Sequence, residues 1–253
     1  MRRFVIALLF VGSVQAQWIK HTTPGIPRNP NGTPNLTAPA PKTADGKPDL
    51  SGLWQTFQGF KYTVNQAADL KPEDQPQLLP AAAAEYKRRQ DSISKDDPVG
   101  HCNLPGIPQA NVIPYPFKII QSSGQVTFLY EAIRTFREIF TDGRGFPEDM
   151  QPTWLGYSIG QWDGDTLVVE TAGQNDKTWI DTGGRPHSEQ LRVTERFHRR
   201  NFGTIDLETT INDPGAYAKP WTVKYEVRLL PDTELIEYVC TENNKDVEHL
   251  VGK

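Results

Sequence analysis

Glutamates recur on apolar faces of strand-like segments, where their carboxyl groups could transfer protons. Residues i and i+2 of a strand point to the same side, so such a glutamate is expected to face an apolar interior. A carboxylate there must find a cation, find hydrogen bonds or take up a proton, which suits a general acid or base. Alternatively, the opposite face forms the core and the glutamates stay in solvent. The residues concerned are Glu138, Glu195, Glu237 and, in a weaker pattern, Glu170.

Arginines on neighbouring strand-like segments could pair with these carboxylates. We expect Glu138 and Glu195 to act as proton-transfer groups, with Arg137 and Arg196 holding an anionic or carbonyl group of a ligand. The arginines available for such pairing are Arg134, Arg137, Arg192, Arg196 and Arg228.

A polar loop over residues 175–189 is the second candidate site. Loops that join barrel strands rim the ligand cavity and often carry function. His187 titrates near neutral pH and is a third candidate for proton transfer, unless it is an ordinary loop histidine with satisfied hydrogen bonds. Trp179, Tyr157 and Phe128 are the candidate apolar walls of the cavity.

Signals for cofactors and for nucleic acid are weak. The five histidines have neither His-x-His nor His-x-x-x-His spacing, so we expect no metal site. Glycine-rich nucleotide motifs and Gly-x-Ser-x-Gly do not occur, so no cofactor and no serine-hydrolase chemistry is expected. A formal charge of −4 over 253 residues disfavours a nucleic-acid partner. A small molecule is the expected ligand.

The N-terminus predicts export. Arg2 and Arg3 precede an apolar run over residues 4–14, and Val14-Gln15-Ala16 fits a signal-peptidase site with cleavage after Ala16. The alternative is an N-terminal core strand or helix. The apolar run is shorter than the roughly 20 residues that span a bilayer, so the chain is not expected to be membrane-embedded. We expect a periplasmic or secreted protein.

Export would place the two cysteines, Cys102 and Cys240, in an oxidising compartment. In an oxidising compartment they could form a disulfide that constrains the unfolded chain, or they could remain two separate buried thiols. Neither lies in a Cys-x-x-Cys motif or beside a nucleophile signature, which disfavours a catalytic role.

Ahead of the ordered fold, residues 17–50 hold seven prolines. Proline removes a backbone donor and fixes φ, so this stretch should be an extended arm, either disordered or laid over the core. Gly52-Leu53-Trp54 then matches the start of the first strand in lipocalin-like barrels, where the tryptophan closes the barrel floor. Pro80 and the alanines after it predict a helix over residues 80–93, inside a helical and loop insertion at about 70–116.

Strand-like runs separated by tight turns dominate the rest of the sequence. The Asp163-Gly164 turn is the strongest hairpin signal among them. Successive hairpins favour an antiparallel meander, and the number of runs favours closure into a lipocalin-like barrel within one domain, residues 51–253. A short helix is predicted near 244–250. The runs are 53–57, 117–121, 126–133, 135–141, 154–162, 166–171, 191–199, 204–212, 222–230 and 235–240.

Several stretches resemble a family of secreted bacterial proteins of the acidobacterial type. The resemblance covers most of residues 44–253 and implies export, but it implies no particular reaction and no catalytic residue. It rests on the residues 44–54 (ADGKPDLSGLW), 152–160 (PTWLGYSIG), 162, 164–171 (GDTLVVET), 187–189 (HSE) and 195–197 (ERF).

Three functions remain open from the sequence. The first is a small-molecule site in the barrel mouth that performs acid–base chemistry, such as an isomerisation, elimination or hydrolysis. The second is a binding or carrier protein that uses the same cavity for a small apolar or anionic ligand without chemistry. The third is an interaction module that docks a partner through the Pro-rich arm.

Overall fold

Nine strands form a closed barrel in the computed structural model, which describes residues 22–242 apart from the side chain of Ile133. The predicted signal peptide and the predicted helix at 244–250 lie outside these residues. The strands are β1 Gly52–Thr56, β2 Phe117–Ser122, β3 Gln125–Tyr130, β4 Thr135–Phe140, β5 Tyr157–Asp163, β6 Thr166–Ala172, β7 Arg192–Asn201, β8 Thr204–Asn212 and β9 Trp221–Leu229. The helices are α1 Gly59–Val64 and α2 Pro80–Asp91, and 3-10 turns cover Pro72–Asp74, Gln109–Asn111 and Ala132–Arg134.

Each strand pairs with its successor in the sequence, and β9 closes the barrel on β1. All pairs are antiparallel except β4 with β5, a short parallel contact at Ile139 with Ser158 and Phe140 with Ile159. The predicted mainly β meander that closes into a barrel is therefore confirmed. The prediction of a strand at 235–240 is wrong, because this segment is irregular and pairs with no other strand.

Alternation of side chains along each strand builds the barrel core. On β9, Trp221, Val223, Tyr225 and Val227 point inward and are buried, and the residues between them face outward. Burying each large apolar side chain stabilises the fold by about 1.5–3 kcal/mol.

The Pro-rich arm closes one end of the barrel, which we call the floor. Phe202 and Gly203, in the β7–β8 turn, donate backbone hydrogen bonds to Ala38 and Leu36 of the arm at 2.8 Å. Trp54 is fully buried there, and its indole N–H donates to the carbonyl of Leu50 at 2.9 Å. Of the two alternatives for the arm, residues 22–50 adopt the one in which the arm lies over the core.

The opposite end is closed by the segment 57–116 and the loops 173–191 and 213–220, which we call the cover. Gln174 and Ile107 exchange two hydrogen bonds, of 2.7 and 2.9 Å, between the side-chain amide and the backbone. Gln66 donates to the carbonyl of Ile180 and accepts a 2.7 Å hydrogen bond from the Tyr225 hydroxyl. The barrel mouth, where the sequence places the candidate site, is thus filled by protein, and any site inside the barrel is enclosed.

A disulfide joins Cys102, in the cover, to Cys240 in the segment after β9, with 5.7 Å between the Cα atoms. This confirms the bridged alternative. Within residues 22–242, no helix has the length and apolar character needed to cross a membrane.

Candidate functional site

The inner face of β4 carries Arg137 and Ile139, not the predicted Glu138. Phe136 is 60% exposed, and Glu138 is exposed and accepts a 2.8 Å hydrogen bond from Gln125 on the outer surface. The expectation that Glu138 faces an apolar interior is wrong. Arg137 points inward because it pairs with a buried carboxylate on a distant strand, and its neighbour Glu138 therefore points outward.

That carboxylate belongs to Glu195, which faces the interior between Val193 and Phe197 as predicted. The Arg137 Nη2 atom lies 2.5 Å from Glu195 Oε2, and both side chains are almost completely buried. The other carboxylate oxygen of Glu195 accepts a hydrogen bond from the side-chain amide of Asn111. Both oxygens are therefore engaged, and the buried ion pair is electrically balanced.

Arg137 is held in place by hydroxyl groups of two further strands. Its Nε donates to Ser158 Oγ at 3.0 Å, and its Nη2 donates to Thr171 Oγ1 at 2.7 Å. The β4 and β5 strands pair through only a short backbone contact, so these side-chain hydrogen bonds help to connect β4 to the rest of the sheet. The Tyr130 hydroxyl donates to Asn111 Oδ1 at 2.7 Å. We call Arg137, Glu195, Asn111, Tyr130, Ser158 and Thr171 the central polar cluster.

Burial and charge shape the ionisation of this cluster. Burial acts to lower the pKa of the Arg137 guanidinium, but the carboxylate of Glu195 and the hydroxyl oxygen of Tyr130 together outweigh it, so the pKa is raised overall. Burial raises the pKa of the Tyr130 phenol above its ordinary value. Arg137 therefore stays charged and Tyr130 stays neutral across the physiological pH range.

Unsatisfied polar atoms occur in the central polar cluster and in residues next to it in the chain or in the strand register. Within residues 22–242, six buried side-chain nitrogen or oxygen atoms lack a hydrogen-bond partner, and four belong to this region: Arg137 Nη1, both amide atoms of Gln109, and Thr209 Oγ1. Gln109 lies two residues before Asn111 in one 3-10 turn, and Thr209 is opposite Glu195 in the β7–β8 register. An unsatisfied buried polar group costs about 1–3 kcal/mol, so these atoms call for a polar occupant.

His187 lies in the cover with its own partners. Its Nε2 is 2.6 Å from Thr178 Oγ1, and its Nδ1 is 3.0 Å from the carbonyl of Ser188. A carbonyl only accepts, so Nδ1 carries the proton and Nε2 accepts from the threonine. Burial lowers the pKa of His187, which keeps the ring neutral. The structure does not bring His187, Glu138 and Glu195 into one hydrogen-bonded group.

The remaining predicted site residues are dispersed. Arg196 lies on the outside of β7, where it pairs with Asp163 at 2.9 Å, so its predicted place beside an interior ligand is wrong. Trp179 is buried in the cover, with the Arg89 guanidinium 4.4 Å from its ring centre. Tyr157 stacks on Phe140 at 5.2 Å, away from the core.

Phe128 is the predicted wall residue that reaches the central polar cluster. It is fully buried, and its ring centre lies 5.9 Å from the Arg137 guanidinium. Two other predicted inward glutamates are outside: Glu170 is exposed, and Glu237 lies within 3.4 Å of Arg134 at the surface. Among residues 22–242, no three His, Cys, Asp or Glu side chains are grouped as a metal site requires.

Sequence reasoning missed several of these residues: Asn111, Gln109, Thr209, Tyr130, Ser158 and Thr171. Tyr130 and Thr209 each alternate with core residues of their strands, a signal that was available. Asn111 and Gln109 follow several prolines in a loop-like stretch, where no periodicity marks an inward side chain. Comparison with models of protein families finds no match, and comparison with curated proteins finds none either.

Proposed function

We propose that this chain is an exported protein that binds a small polar molecule inside its barrel, at the central polar cluster. The observation that carries the proposal is that four unsatisfied polar atoms belong to Arg137 or to Gln109 and Thr209, which neighbour the central polar cluster in the chain and in the strand register. A bound molecule that hydrogen-bonds these atoms would remove their desolvation cost and so bind favourably.

The unsatisfied atoms indicate which hydrogen-bond donors and acceptors the ligand should carry. Arg137 Nη1 and Gln109 Nε2 require acceptors, Gln109 Oε1 requires a donor, and Thr209 accepts or donates. Because Arg137 and Glu195 balance each other, an added net charge in this interior would lack a counter-ion and be costly. A small neutral molecule with a carbonyl beside an N–H or O–H group, such as a primary amide, fits these requirements.

Binding is favoured over acid–base catalysis by the state of the proton-transfer candidates. Both oxygens of Glu195 are engaged by Arg137 and Asn111, and His187 is satisfied within the cover. A general base must lie within hydrogen-bond reach of the proton that it removes, and the oxygens of Glu195 are directed at Arg137 and Asn111 instead. The enclosed cluster is therefore better suited to holding a molecule than to transferring its protons.

Export is part of the same proposal. The charged, apolar and small-residue order of residues 1–16 is typical of a signal peptide, and the Cys102–Cys240 disulfide suits an oxidising compartment. The resemblance to secreted bacterial proteins points the same way.

Nuclear magnetic resonance tests the proposed site directly. We expect acetamide, added to the purified protein, to shift the side-chain amide signals of Gln109 saturably, whereas acetate does not. The side-chain amide of Asn111, in the same turn, should also shift with acetamide; Gln109→Met should abolish that shift, and Gln190→Met, at an exposed position, should leave it unchanged. No saturable shift with acetamide, together with a high-resolution structure that shows only water at Arg137 Nη1, would overturn the proposal.

A further inference from the structure

A groove of about 440 Å³ lies against the floor of the barrel, outside the enclosed interior. Three separate parts of the chain line it: residues 23–26 of the arm, residues 51–53 at β1, and residues 230–235 after β9. This volume lies within the range of sites that bind small molecules.

The two segments that flank the groove are fastened to each other. Thr23 N–H donates to Asp232 Oδ1 at 2.9 Å, and Asp232 N–H donates back to Thr23 Oγ1 at 3.1 Å. Arg28 Nη1 adds a 2.8 Å charge-assisted hydrogen bond to Asp232 Oδ2. These contacts span more than 200 residues of sequence, so the tertiary fold fixes the groove walls.

Apolar side chains from the arm, from β1 and from the end of β9 contribute to the lining. Leu53 and Leu229 are buried beneath the groove, and Ile26 and Leu235 contribute half-buried side chains from the arm and from the segment after β9. Such a surface favours a hydrocarbon chain, because each buried CH₂ group is worth about 0.8 kcal/mol.

One cation beside this apolar lining is available to a ligand. Lys118 is directly opposite Leu53 in the β1–β2 register, is exposed, and makes no hydrogen bond or ion pair within residues 22–242. Arg199 also lines the groove, but it donates to the backbone carbonyls of Asp49 and Phe202. Burial lowers the pKa of Arg199 to about 10, so it stays charged at neutral pH and offsets the nearby carboxylate of Asp49.

We propose that this groove binds an amphipathic carboxylate, with its hydrocarbon chain on Leu53 and Leu229 and its carboxylate at Lys118. Glu234 also lines the groove, and Lys118 is the exposed lysine of the lining that can contact the head group. The groove and the central polar cluster are separate, so this site does not depend on the proposed interior ligand.

Isothermal titration with decanoate, kept below its micelle concentration, tests the proposal. We expect saturable binding to the purified protein and at least tenfold weaker binding of decyltrimethylammonium, which has the same chain and a cationic head. Lys118→Ala should weaken decanoate binding about fivefold, the change expected of one partly exposed ion pair, and Lys118→Glu should weaken it further.

Two controls separate this site from others. Lys177→Glu changes an exposed lysine on the cover and should leave decanoate affinity unchanged. In nuclear magnetic resonance, decanoate should shift the methyl signals of Leu53 and not the side-chain signals of Gln109. Unchanged affinity in Lys118→Glu, equal binding of the cationic amphiphile, or shifts confined to Gln109 would each overturn the proposal.

Discussion

Arg137 on β4 and Glu195 on β7 form an ion pair across the inside of the barrel, although β5 and β6 separate their strands in the sheet. The pair therefore joins two parts of the wall that share no backbone ladder. Its 2.5 Å contact and nearly complete burial mean that each charge depends on the other for compensation.

Removal of one member of this pair should be strongly destabilising. Glu195→Gln keeps the side-chain shape but leaves the Arg137 charge buried without a partner. We expect the free energy of unfolding to fall by about 3–5 kcal/mol, measured by urea denaturation.

The matched control is Glu138→Gln, because Glu138 lies in the exposed outer surface of the barrel. It should change stability by less than about 0.5 kcal/mol. Equal effects of the two variants would mean that the buried pair is not formed.

The barrel was predictable from the sequence because its signals are local. The Asp163-Gly164 turn and the alternation on either side of it specify the β5–β6 hairpin, and Gly52-Leu53-Trp54 specifies the floor. The sequence run at 235–240 alternates in the same way without forming a strand. Cys240, in this run, forms the disulfide with Cys102 in the cover, and the run pairs with no neighbouring strand.

The site was only partly predictable, because distant partners decide it. From hydropathy alone, Phe136 and Phe140 are better core residues than Arg137, which favours the wrong face of β4. The observed face depends on Glu195, 58 residues away, and on hydroxyl groups of two other strands. The inward orientation of Glu195 was predicted correctly, because Val193 and Phe197 fix its face locally.

Asp97 should make stability depend on pH. Burial raises the pKa of its carboxyl to about 6, and Arg89, His101 and Asp181 are the charged groups that act on it. Because the folded state holds the proton more tightly than the unfolded state, this carboxyl stabilises the fold below about pH 4. The contribution of about 3 kcal/mol is lost as the pH rises through 6.

Asp97→Asn isolates this contribution, since the amide stays neutral and can still accept from the Val99 N–H. Relative to the unsubstituted protein, the variant should gain about 3 kcal/mol of unfolding free energy between pH 4 and pH 7. Asp96→Asn, at a neighbouring surface position, should show no such gain. A constant difference between Asp97→Asn and the unsubstituted protein at all pH values would contradict the prediction.

Reduction of the Cys102–Cys240 disulfide should destabilise the protein by about 5 kcal/mol. The bond closes a loop with a sequence separation of 138 residues, and opening it restores conformational freedom to the unfolded chain. The measurement is urea denaturation with and without reductant. A Cys102→Ser/Cys240→Ser double variant is the control, because its stability should match the reduced protein and not respond to reductant.

Gly106→Ala should disrupt packing within the cover and leave the strands of the barrel unchanged. A Cβ atom at this position would lie 2.7 Å from Gln174 Oε1 and in contact with Thr178 Oγ1. Since Gln174 Oε1 accepts from Ile107 N–H, the added methyl group would break the link between the segment 57–116 and the loop 173–191. We expect a loss of about 2 kcal/mol, typical of overpacking, and faster hydrogen exchange at Ile107.

The control for this variant is Gly145→Ala, because a Cβ atom there meets nothing within 4 Å. It should leave both stability and exchange unchanged. If the cover is the barrier to the enclosed cluster, Gly106→Ala should also speed the exchange of acetamide at Gln109, because the loosened link is two residues from that side chain. Faster exchange at Ile107 with unchanged acetamide exchange would show that the ligand enters by a route other than this part of the cover.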